Sequence, residues 1–217
     1  MGFILKKCLL SLLLLSVLLL SAGTWAYADV KLPPPQTEGG MSLFESLKKR
    51  ASAPGGDFPI APIEPEELST ILWAATGLNR GEKGWTVPMS KGLEPYCKIY
   101  VAQDEGIFLY DWQIHGLIEI SKENIRAKVG SQNFVKTAPC ILIVVADGKA
   151  LSDNFNERDS AEFAAVAAGA MTQDIYLAAA ALEIGARYIH AMNLEEIRRA
   201  LSLPEEDYPL CLMILGK

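Results

Sequence analysis

Histidine is almost missing from this 217-residue chain, which has two, and cysteine is scarce at four, with no Cys-x-x-Cys pair. Zinc and haem sites need those residues in clusters, so no metal-ligand set is on offer. A basic excess is lacking as well: 20 Lys and Arg stand against 26 Asp and Glu, for a formal charge of −6 and a pI near 5.1. Nucleic-acid binding and adhesion to anionic membranes both draw on clustered Lys and Arg, and neither fits that balance. There is no internal repeat and no low-complexity tract. The composition excludes a disordered tail, a collagen-like fibre and a disulfide-dense miniprotein. Half of the residues are apolar, enough for one globular core.

The first 28 residues have a different character. Lys6 and Lys7 precede an apolar run from Cys8 to Leu20, and Ala26-Tyr27-Ala28 supplies the small-x-small pattern of a signal-peptidase site. Cleavage is therefore expected between Ala28 and Asp29. The run falls short of the ~20 residues of a spanning helix, which argues against a retained anchor. No cysteine follows the run for lipid attachment, and no twin Arg precedes it. The expected product is an exported, acidic domain, periplasmic or secreted, without stable membrane insertion. Cys97, Cys140 and Cys211 remain, each at or in an apolar strand, where cysteine behaves as a small buried hydrophobe. A disulfide among them is possible but not indicated.

Residues 29–41, with Pro33-Pro34-Pro35 and Gly39-Gly40, read as an extended leader rather than a packed element. Ser42 with Glu45 three residues on predicts a capped helix to Arg50, its apolar stripe made by Leu43, Phe44 and Leu47. Loop is expected over Ala51 to Pro65. A second helix follows over Glu64 to Thr76, with Pro65 in its first turn and Leu68, Ile71, Leu72 and Ala75 at helical spacing. Asn79 to Tyr96 reads as a long functional loop. Strands are expected over 97–102, 107–110 and 117–120, a short helix over 124–129, and a central strand over Ile141 to Ala146, β-branched and continuously apolar. Ser160 to Ile184 is the longest helix, Ala-rich and apolar around most of its circumference, as for a buried helix at the centre of a fold or dimer. A strand (187–190), a helix (194–201) and a last strand (210–215) complete the domain.

This order, together with six strings, resembles the nitroreductase-like flavoproteins, most closely their SagB/ThcOx-type dehydrogenase branch. The strings are residues 42–52 (SLFESLKKRAS), 66–77 (EELSTILWAATG), 86–90 (TVPMS), 168–173 (AGAMTQ), 177–185 (LAAAALEIG) and 201–206 (LSLPEE). The resemblance implies an α+β fold over residues 42–217, with a central, mostly antiparallel sheet flanked by helices and a long buried central helix. It also implies an intertwined homodimer binding FMN at its interface and shuttling a hydride between a donor and an oxidised substrate.

Such a site needs cations for a phosphate and a flat slot with donors for the isoalloxazine. Where the family carries Arg-Arg-Ser-x-Arg, this chain keeps Arg50 and Ser52, with Ala51 and Pro54 replacing two of the arginines. Each lost charge-assisted bond removes roughly 1.5–3 kcal/mol. Arg50 reads either as the phosphate ligand or as a base complementing a helix C-terminus. Where the family carries Pro-Ser-Ser-x-Asn-x-Gln-Pro, this chain has Pro88, Met89, Ser90, Lys91, Gly92, Leu93, Glu94 and Pro95, so Pro88, Met89, Ser90, Gly92 and Glu94 are cofactor-binding candidates. Glu94 is either a proton donor of raised pKa, with Lys91 as a conceivable partner, or a surface residue. After the long helix, Ile189, His190 and Ala191 stand where the family sets backbone against the ring, and His190 reads as a proton donor or a structural residue. Lys217 is the C-terminal cation for the phosphate. Glu94 and His190 lead the catalytic candidates; Lys91 and Tyr96 are further choices for a base.

The resemblance thus implies an exported FMN oxidoreductase acting on a small organic or modified-peptide substrate, with azoline oxidation, nitro reduction and reductive dehalogenation as chemistries. Since NAD(P)H is cytoplasmic, a quinol, a protein or oxygen would exchange its electrons. A non-catalytic flavin- or ligand-binding module on the same fold is the alternative, favoured by the missing arginines.

Overall fold

The computed structural model describes residues 29–217, so the signal peptide expected at 1–28 lies outside the described residues. Alternating apolar side chains make two faces of one sheet, and each face needs its own cover. The strands are β1 (Asp29–Lys31), β2 (Cys97–Gln103), β3 (Gly106–Asp111), β4 (Gly116–Ser121), β5 (Cys140–Ala146), β6 (Gly185–Ile189) and β7 (Tyr208–Gly216). They pair in the order β1-β4-β3-β2-β5-β7-β6, and every pair is antiparallel. β5 is buried at every position, as its unbroken apolar run requires of a strand covered on both sides. Gly106 closes the β2–β3 turn at φ 143°, where a Cβ would strike the Ser121 carbonyl.

The helices are α1 (Leu43–Lys49), α2 (Pro65–Thr76), α3 (Asn133–Lys136), α4 (Gly148–Ser152), α5 (Glu157–Ala181) and α6 (Leu194–Leu201). Leu142, Val144 and Met213 on one sheet face pack against α2, α4 and α5 through Leu72, Leu151, Met171 and Ile175. Ile141, Ile143 and Leu212 on the other face meet α3 and α6 through Val135, Ile197 and Leu201. Ser42 Oγ caps α1 by accepting from Glu45 N at 3.2 Å, and Glu67 of α2 reaches back to Glu64 N at 2.9 Å.

Several expectations change in three dimensions. The segment read as an unpacked leader contributes an edge strand: β1 pairs with β4, Leu32 is buried, and the Pro33 carbonyl accepts from Ser69 Oγ at 2.5 Å. Ser69 Oγ also meets His115 Nε2 at 2.7 Å, and Tyr110 Oη lies 2.9 Å from His115 Nδ1. No periodicity in a short Pro-rich stretch announces such pairing. The helix expected at 124–129 is a single turn closed by Lys128 N and Val129 N on the Ile125 carbonyl; the short helices α3 and α4 follow instead. The stripe of α1 faces outward, with Phe44 82% exposed, and Ser46 is the buried residue of that helix. α5 is buried along one side only: Ala164, Ala167, Ala168, Met171, Ile175 and Ala179 face the core, while Ala161, Ala165, Val166 and Gly169 are open.

Candidate functional site

The chain leaves α1 through Arg50 in extended backbone and runs beside β6, where Ala53 N donates to the Ala186 carbonyl at 2.9 Å and Arg187 Nη1 to the Ala53 carbonyl at 2.8 Å. This course brings Arg50 and Ser52 onto Tyr176 of α5. The Arg50 guanidinium lies over the Tyr176 ring, 5.2 Å from its centroid, and among the described residues it has no carboxylate partner. The Tyr176 hydroxyl accepts from Tyr188 N at 2.7 Å and sits 2.7 Å from Ser52 Oγ. With Tyr188 N–H supplying one hydrogen, Tyr176 is free to donate its own to Ser52, which leaves the serine hydroxyl a hydrogen for an acceptor in the cleft. That cleft, of about 400 Å³, is lined by Lys49, Ser52, Pro54, Tyr176, Glu183 and Ala186, among others. Lys49 Nζ stands 3.3 Å from Glu45 and 4.0 Å from Glu183, so the one carboxylate on the wall has a cation beside it.

The second motif lies elsewhere. Ser90–Gly92 forms a 3-10 turn with Lys91 and Gly92 at φ 55° and 66°. Lys91 Nζ donates to the Asn154 carbonyl at 2.8 Å and sits 4.6 Å from the Phe155 ring centroid, so it does not pair with Glu94. Ser90 N donates to Tyr96 Oη at 3.4 Å, and Phe155 stacks against Phe163, centroids 4.4 Å apart. Pro88, Met89, Ser90 and Gly92 are thereby tied to the N-terminal end of α5. Tyr176 follows Phe163 by thirteen residues, roughly 20 Å along the axis at the usual helical rise. Within one chain the two halves of the expected site are thus at opposite ends of the same helix.

The remaining candidates separate further. Glu94 is exposed on the wall of another hollow, about 240 Å³, shared with Lys98, Tyr110 and Trp112. Tyr96 is buried, and burial pushes its phenol pKa up, which keeps the hydroxyl protonated and so unavailable as a base. Ile189 points into the core on the face away from α5, whereas His190 and Ala191 are exposed just after β6. Lys217 Nζ is engaged by Glu67 at 2.5 Å, and its backbone exchanges two hydrogen bonds with Ala61. Cys97, Cys140 and Cys211 are all buried free thiols, and burial pushes each pKa up to about 12, as expected of packing cysteines. Sequence reasoning missed Tyr176, Tyr188 and Lys49. The available signal was a phenol in the otherwise Ala- and Leu-rich last turns of α5.

The Nitroreductase family model matches residues 57–217. The chain belongs to the nitroreductase family. A relative from Methanocaldococcus jannaschii is 29% identical over 199 residues, covering 87% of this chain and 96% of the relative. A crystal structure from Ralstonia eutropha JMP134 superposes with a TM-score of 0.81 at 31% identity, covering 90% of this chain and 92% of that one. Both are described as a "putative nitroreductase". The Escherichia coli microcin synthetase McbBCD complex, with truncated pro-MccB17 bound, contains a chain of the same fold: TM-score 0.67 at 11% identity, over 84% of this chain and 74% of that one. Arg50, Ser52 and β1 precede the matched span, which takes in α2, the second motif, β2 to β7 and α5. Nitroreductase-family proteins are oxidoreductases that generally use flavin.

Proposed function

We propose that this nitroreductase-family chain is an exported oxidoreductase that holds FMN between two copies of itself, the phosphate on one chain and the ring beside the other. The carrying observation is the distance along α5. Arg50 and Ser52 lie at one end, the Pro88–Gly92 turn lies at the other, and an antiparallel α5 pair would bring one half from each copy together. The surface supports pairing: Leu43, Phe44 and Leu47 of α1 and Val166 of α5 are exposed, and a Cβ built on Gly169 meets nothing within 4 Å outside its own helical turns, leaving room for a second backbone.

The residues present fit a phosphate. Arg50 contributes a guanidinium free of carboxylates, Ser52 a hydroxyl hydrogen, and Lys49 a second charge that also offsets Glu183. FMN, when bound, supplies two-electron redox chemistry that no side chain here provides. The chain's own part is to bind the phosphate, to hold Ser52 through Tyr176, and to present the Ser90–Gly92 turn to the neighbouring copy. Small organic and peptide-derived substrates are the classes this reading favours, the microcin synthetase likeness being the reason for the latter. A non-catalytic binding module is the second reading, favoured by Ala51 and Pro54 in place of cations.

Complementation tests the shared site. Arg50→Ala and Ser90→Trp chains should each purify with little flavin, and co-expression should restore yellow protein with about half of the sites intact in each mixed dimer. Flavin retained by Arg50→Ala alone, or a monomer at micromolar concentration, would overturn the reading. Bound flavin that no donor reduces would favour the binding module.

A further inference from the structure

A second cleft, sharing no lining residue with the one beside Ser52, lies where residues 36–41 cross between α2 and α5. It encloses about 310 Å³, and its walls include Glu38, Thr70, Trp73, Asp174, Leu177 and Leu182. A neighbouring hollow of about 290 Å³ shares Gln36, Thr70 and Leu182 with it and adds Glu66 and Glu67. No Lys or Arg lines either one.

The unused hydrogen-bonding capacity limits what could bind. Thr70 Oγ1 already donates to the Glu66 carbonyl and accepts from Gln36 N; Thr86 Oγ1 donates to the Trp73 carbonyl; Trp73 Nε1 donates to the Leu78 carbonyl. Asp174 differs. Among the described residues it has no ion pair and no hydrogen bond, although it sits half-buried in mid-helix. Burial alone pushes its pKa up to about 6. Of the other partly or fully buried acids among the described residues, Asp147 and Asp207 share Lys98 and Glu67 holds Lys217, while Glu119 of β4 is likewise unpaired. What the cleft leaves for a ligand is therefore the carboxylates of Asp174 and Glu38 and the polar side chains of Gln36 and Thr37, set against apolar surface with an indole. An anion would be repelled.

We propose that this cleft binds an organic ammonium ion, its nitrogen on Asp174 and its apolar body against Trp73, Leu177 and Leu182. The cation supplies the charge that Asp174 lacks, and an indole wall suits an ammonium and a hydrocarbon alike. The proposal is independent of any flavin.

Phenethylammonium titrated into the full chain, followed by calorimetry, is the direct test, with 2-phenylethanol as a neutral counterpart of similar size. The expectation is saturable binding of the amine, at least tenfold weaker binding of the alcohol, and at least a tenfold loss for the amine in Asp174→Asn. Trp73→Leu, a second variant should Asp174→Asn fail to fold, should weaken the amine several-fold. Equal binding of amine and alcohol, unchanged affinity in the folded variant, or no saturable binding would each overturn the proposal. The last outcome includes a cleft already covered by a second copy of the chain.

Discussion

Removing one oxygen, in Tyr176→Phe, probes the core of the candidate phosphate site. The ring remains, so the Arg50 stack at 5.2 Å and the apolar packing of a residue only 9% exposed should persist. What goes is the acceptor for Tyr188 N and the partner of Ser52 Oγ, both at 2.7 Å. The Tyr188 N–H is only part-buried, so losing its acceptor costs toward the lower half of the roughly 1–3 kcal/mol of a buried donor, and Ser52, being exposed, can turn to water; a loss of about 1–2 kcal/mol is expected. For a domain of this size that lowers Tm by roughly 3–6 °C. The second consequence is functional: Ser52 loses the contact that orients it, so FMN affinity should fall several-fold. Urea melts and fluorescence titration with FMN measure the two effects separately. A variant as stable as the parent with undiminished FMN affinity would refute the assignment of Tyr176 as the positioning residue. Lost stability with unchanged FMN affinity would leave Tyr176 a purely structural residue.

Lys98 stands between Asp147 at 2.8 Å and the almost fully buried Asp207 at 3.3 Å. Lys98→Met should destabilise the fold by about 3 kcal/mol, since it leaves Asp207 charged and poorly compensated. Burial pushes the Asp147 pKa up, but the Ala150 N–H and Lys98 outweigh it and hold the carboxyl below its usual range. The stability this gives is complete above roughly pH 4 and is lost as the pH falls further, so the gap between parent and Lys98→Met in urea midpoints should narrow there. An unchanged midpoint at pH 7 would show the ion pairs to be inconsequential. His115 behaves in the opposite chemical sense but with the same pH direction. Burial lowers its pKa, outweighing the help of the Pro33 carbonyl, so the unfolded chain takes up the proton first. Its contribution is intact above about pH 6.5 and declines as the pH drops through the lower folded value. His115→Gln should flatten the slope of stability between pH 7 and 5, and an identical slope in parent and variant would exclude His115 as a source of acid sensitivity.

Much of the fold was legible because its signals are local. The Ser42 cap, the Pro65 start and the unbroken apolar run of β5 each depend on neighbours within a few residues and are found where expected, and the Ala-rich α5 is found three residues earlier in the chain, over Glu157–Ala181 rather than Ser160–Ile184. The failures share a cause. β1 has three residues and pairs with β4, whose partner residues lie nearly ninety positions away, and the outward stripe of α1 looks identical in sequence to an inward one. Periodicity says which face is apolar; it does not say whether that face meets its own chain.

The site divides in the same way. Arg50, Ser52 and the Pro88–Gly92 run could be picked out one residue at a time by type and spacing, because binding chemistry belongs to side chains and short turns. That the two runs lie against opposite ends of α5, on Tyr176 and Phe163 about 20 Å apart along its axis, follows only from how the helix crosses the sheet. The same holds for Tyr176 beneath Ser52 and for Asp174 without a partner. A sequence determines which groups a protein has and which segments are regular, whereas distance between groups far apart in the chain is a property of packing.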